Sequence, residues 1–149
     1  MESADDLIGQ IVSAIDRYNN LLIRYNEFVA QITALRAHDD RLNDVVITEN
    51  PDNSLTIKFL DRELLAKFSF SINNGNRIGS INCYLMPIEP GTEIRNIHSF
   101  TFTASGEANI PVPNDNDPYE IHNHRDAVNI LAHWLRESLN ETHNKSLKL

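Results

Sequence analysis

His122 and His124, followed by Asp126 and His133, are the side chains in this chain most suggestive of a metal centre. Neutral imidazoles and a carboxylate ligate zinc, and a structural site takes four such groups. The spacing fits poorly. The first two histidines straddle the start of an expected helix, His133 lies more than two turns along it, and no nearby cysteine completes the set. They read as polar surface, and neither a metal nor any other cofactor is expected.

The run Asn114-Asp115-Asn116-Asp117 has the look of a calcium loop. Such a loop needs oxygen ligands at positions 1, 3 and 5, glycine at 6 and a glutamate at 12. Counted from Asp115, those last three positions hold Tyr119, Glu120 and Asp126, so the match fails and a solvated acidic turn is expected. Cys83 and His98 would make a nucleophile and its base if adjacent strands brought them together. Both sit among apolar neighbours, where a thiol loses reactivity and acts as a small hydrophobe. His98 and Tyr84 are also the only polar groups visible for a ligand pocket between sheet and helices, the reading that would make this a small enzyme or ligand binder. No G-x-S-x-G, P-loop or dinucleotide fingerprint occurs. A non-enzyme is therefore expected.

The elements that would hold these groups begin with a long amphipathic helix, expected from about residue 5 to 37. Ile8, Ile11, Ile15, Tyr18, Leu22, Tyr25, Val29 and Ile32 recur in steps of three and four, the seam of a helix with one buried edge. Leu7, Ala14, Leu21, Phe28 and Leu35 run beside it at seven-residue spacing. The combined stripe is too broad for a two-helix zipper and fits a helix lying on a sheet. A helix of this length, roughly 50 Å, outreaches a body whose radius of gyration is about 15 Å. The seam residues are therefore expected to serve as an interface as well, most simply with a second copy.

From about 44 to 105 the period changes to two. Leu55, Ile57 and Phe59, then Leu64, Ala66, Phe68, Phe70 and Ile72, then Ile81, Cys83 and Leu85, then His98, Phe100, Phe102 and Ala104 alternate with polar residues. Asn74-Gly75 is the strongest hairpin signal. Connections this short imply an antiparallel meander of four or five strands, because a parallel crossover needs a dozen residues or more. An acidic, proline-containing loop is expected at 111–122, and a helix at about 123–140. Asn123 would cap that helix, and Ala127, Ile130, Leu131, Trp134 and Leu135 form its buried stripe. Residues 141–149 read as a frayed tail. The whole is one α+β domain over 1–149: long N-terminal helix, meander, and C-terminal helix packed on the sheet.

Composition narrows the function. Of 149 residues, 21 are acidic and 13 basic, leaving a net charge of −8 and no basic cluster with which to bind a nucleic-acid backbone directly. A single cysteine excludes an intramolecular disulfide and suits a reducing compartment. The acidic start MESADD lacks a secretory core, and no apolar run approaches a membrane span. These features point to a cytoplasmic, non-catalytic protein-binding module acting as a homodimer: an adaptor, a chaperone or an inhibitor of another protein. An acidic mimic of nucleic acid that blocks a basic groove is the alternative.

Overall fold

A computed structural model describes residues 3–73, 76–87, 91, 93–110 and 119–147. Helix α1 spans Ala4–His38 and, at 35 residues, is about 52 Å long. Its start is fixed by a reciprocal cap. The Asp6 amide donates to the Ser3 hydroxyl at 3.2 Å, and the Ser3 amide donates to the Asp6 carboxylate at 3.3 Å. It ends at Asp39, whose amide reaches back to the Leu35 carbonyl at 3.0 Å and whose carboxylate holds Arg41 at 2.7 Å.

A single 3-10 turn, Asp40–Leu42, leads into an antiparallel sheet of seven strands. These are β1 (Val46–Asn50), β2 (Ser54–Phe59), β3 (Arg62–Asn73), β4 (Asn76–Leu85), β5 (Arg95–Phe102), β6 (Glu107–Asn109) and β7 (Tyr119–Glu120). Each strand pairs with the next in sequence, so the sheet is a meander from edge to edge. The expected four or five strands are present, and β6 and β7 extend them. Tyr119 and Glu120, assigned from sequence to the acidic loop, pair with Ala108 and Glu107 instead. A strand of two or three residues is too short to show a period of two, which is why neither was visible. The rest of the expected acidic turn (111–118) and the Asn74-Gly75 turn lie outside the described residues.

The expected alternation holds as far as Phe102; Ala104, expected on the same face, lies past the end of β5 and is exposed. Leu55, Ile57, Leu64, Ala66, Phe68, Ile81, Cys83, Leu85, Phe100 and Phe102 are buried on one face, while Lys58, Lys67 and Ser69 are exposed on the other. Helix α1 packs on β3 and β4, helix α2 (His124–Leu147) packs on β5 and β7, and the two helices touch. Helix α2 runs beyond the expected end near residue 140, so 141–147 are helical where a frayed tail was expected. Asn123 does cap it: its side-chain oxygen accepts from the amides of Arg125 at 3.0 Å and Asp126 at 3.4 Å.

The core is aromatic where helices meet sheet. Phe28 of α1 lies edge-on to Phe100 and to Trp134 of α2, with centroids 6.3 and 5.8 Å apart. Tyr25 stacks on Phe68 at 5.1 Å, and Phe68 meets Phe102 at 6.0 Å. Such pairs add about 0.5–1.5 kcal/mol each beyond the area they bury. Phe102 lies directly over Gly79, its cross-strand partner, so closely that a side chain at Gly79 would collide with the ring.

Candidate binding strip and histidine pair

The expected seam of α1 divides into two parts. Tyr25, Val29 and Ile32 are 3%, 3% and 0% exposed, buried against the chain's own sheet and second helix. These three are core residues with no surface left for a partner, because this half of α1 lies over the body. Tyr18 and Leu22 are half-buried at the boundary. Tyr18 packs against Phe68 and Phe70, and its hydroxyl accepts from the Asn53 side chain at 3.3 Å. Arg24 fastens the helix at this point, donating to the Ala104 carbonyl at 2.9 Å and to Glu27 at 3.0 Å.

Toward its N-terminus the helix leaves the core. Every residue from Ser3 to Val12 is exposed, and Leu7, Ile8, Ile11, Val12 and Ile15 retain 47%, 57%, 59%, 50% and 52% of their surface. All five fall on adjoining sides of the helix, a continuous apolar strip. The polar side, with Asp6, Gln10, Ser13 and Arg17, lines an open cleft together with Arg77 of β4. The helix thus turns its polar side to the β3–β4 hairpin and leaves its apolar side uncovered. Of the expected interface, Ile8, Ile11 and Ile15 are available. Leu7 and Val12 join them, and their broadening of the seam on either side was the sequence signal for it.

A second cluster lies between β5 and α2, with His98 buried and His133 half-buried. His98 of β5 and His133 of α2 have ring centroids 4.7 Å apart, and the Trp134 indole donates to Nδ1 of His98 at 2.8 Å. That bond fixes the neutral His98 tautomer with its proton on Nε2, which has no partner among the described residues. Burial, reinforced by the neighbouring His133, pushes the His98 pKa down to about 4. His133 is lowered too, again mainly by burial.

Cys83 is the cross-strand partner of His98, as the nucleophile–base reading required. It is fully buried, however, and burial pushes its thiol well above the ordinary range. A thiol in that setting stays protonated and unreactive. Tyr84 alternates with Cys83 and so lies on the opposite face of the sheet from His98. The two groups proposed for a ligand pocket are not brought together.

The histidine set considered for zinc is dispersed. His124 Nδ1 pairs with Gln31 at 3.0 Å, and Asp126 accepts from the Glu120 amide at 2.9 Å. His122 sits beside Glu120 at 3.6 Å, with its ring against Gly106. Among the described residues no group of three or more ligating side chains converges on a point, and no helix is long and apolar enough to cross a membrane.

No known protein family, no curated protein and no solved structure matches this chain.

Proposed function

We propose that this protein is a non-catalytic protein-binding module of the cytoplasm, acting as a homodimer and serving as an adaptor, chaperone or inhibitor of another protein. One observation carries the reading: the uncovered strip Leu7, Ile8, Ile11, Val12 and Ile15. Five large aliphatic side chains at about half exposure offer on the order of 500 Å² of apolar surface, at the upper end of the largest patch on an ordinary monomer, roughly 300–600 Å². A helix stabilised only by its own fold has no use for such a strip, because leaving it in water forgoes about 25 cal/mol for every Å². The capping box at Ser3 and Asp6 keeps these turns helical while the strip stays open.

The test is Ile11→Asp. Light scattering of the native chain should give about twice the 17.0 kDa chain mass at micromolar concentration, and the variant should be a folded monomer. A native chain that stays monomeric at high concentration defeats the homodimer. The net charge of −8 supports the rival reading as a nucleic-acid mimic. A mimic's affinity for its target would fall by roughly tenfold or more between low and high salt, whereas an apolar strip holds its partner.

A further inference from the structure

We infer that the strip is covered by the same strip of a second copy, the two α1 helices crossing antiparallel about a two-fold axis near Ile11. The inference rests on the protein-binding reading above and specifies the geometry of that contact.

A two-fold contact is isologous, so the surface must be complementary to itself. Counting outward from Ile11, four residues in one direction is Leu7 and four in the other is Ile15. Three residues either way are Ile8 and Ala14. The set Leu7, Ile8, Ile11, Ala14 and Ile15 therefore maps onto itself when the helix is reversed about Ile11. Each layer of an antiparallel pair then meets an apolar side chain: Leu7 against Ile15 of the second copy, Ile8 against Ala14, Ile11 against Ile11. Ile11, at the centre, is also the most exposed of the five at 59%. Val12 lies at the margin of the contact.

Two further observations select antiparallel over parallel. The body begins near Tyr18, where the helix meets Phe68 and Phe70. Reversing the second helix carries its body to the far end, while a parallel pair would set two bodies of net charge −8 side by side. The first turns each carry Asp5 and Asp6. Parallel order packs these acids and the two helix N-termini together. Antiparallel order brings each acidic turn to the axial level of Asp16 and Arg17 of the other copy, a pair with no net charge, and opposes the helix dipoles. Two strips of about 500 Å² set an upper bound of about 1,000 Å² in all, the minimum for a biological interface and the size of a weak, reversible one.

Single cysteines at Leu7, Ile11 and Ile15 read the geometry directly, since Cys83 is buried and its thiol protonated. A disulfide requires Cα atoms within about 7 Å. Under mild oxidation Ile11→Cys should cross-link to itself. Leu7→Cys alone and Ile15→Cys alone should not, because antiparallel order sets like positions about 12 Å apart along the axis. An equimolar mixture of those two should cross-link. Ile11→Asp should weaken self-association by at least about a hundredfold.

Self-cross-linking of Leu7→Cys and of Ile15→Cys, with none in excess for the mixture, would mean a parallel pair and overturn this inference while leaving the homodimer intact. A dimer indifferent to Ile11→Asp and silent to all three cysteines would place the contact elsewhere. That result overturns this inference and takes the strip out of the homodimer contact, while a persistent monomer overturns this inference and the homodimer together.

Discussion

His98 is a buried imidazole whose protonation bears on this fold between neutral and acid pH. In the unfolded chain an imidazole takes a proton near pH 6.5, and in the folded protein His98 resists it down to about 4. Below pH 6.5 the unfolded state therefore binds more protons than the folded one, and stability falls as pH drops through that window. Chemical denaturation at pH 7 and pH 4 should show a loss of about 2 kcal/mol from this group, the full shift being discounted for solvent screening. His98→Gln, which can still accept from Trp134, should flatten the dependence; an unchanged slope would remove His98 from the account. Two backbone positions make opposite predictions. Leu60, in the β2–β3 turn, has φ of 54° and is 75% exposed. This left-handed conformation suits asparagine better than leucine, so Leu60→Asn should raise stability by roughly 0.5–1 kcal/mol in a urea titration. Gly79→Ala should lower it by about 1–3 kcal/mol, because the Phe102 ring occupies the space a side chain needs.

At the scale of elements, α1 contains two helices' worth of behaviour in one. Tyr25→Asp should cost more than about 4 kcal/mol, since it buries a charge at a site already pushing the Tyr25 hydroxyl above its ordinary range. Ile11→Asp, fourteen residues earlier on the same seam, should change the stability of the monomer by no more than about 0.5 kcal/mol in a urea titration. Equal destabilisation by the two would mean that the first turns pack on the body after all. The periodicity could locate the seam but not this division, because heptad spacing is the same whether the covering surface is a sheet or another chain. The helices and long strands were legible because each repeats its period several times. Strands β6 and β7 were not, being too short to repeat one. The proximity of His98 to His133 and Trp134 was invisible for a different reason: it depends on how α2 docks on β5, a tertiary choice that no local pattern encodes. Ser3-x-x-Asp6 was a readable start signal, the capping box with aspartate in place of the usual glutamate.

For the molecule as a whole, two copies of net charge −8 repel each other. If apolar burial joins them, raising salt from about 0.05 to 0.5 M should tighten self-association, by screening the repulsion without weakening the burial. Sedimentation at the two ionic strengths checks this, and weaker association at high salt would point to a charge-driven contact. The order of elements along the chain has a consequence for synthesis. Phe28 leaves the ribosome more than a hundred residues ahead of Trp134, its partner across the core. At 5–20 residues per second that gap lasts roughly 5–20 s. During it the nascent helix displays both halves of its seam, and a neighbouring nascent chain on the same messenger displays the same one. If two copies do join through the strip, that pairing can precede the completion of either, and the meander would then close over the half of the seam that it needs, leaving the other half already joined.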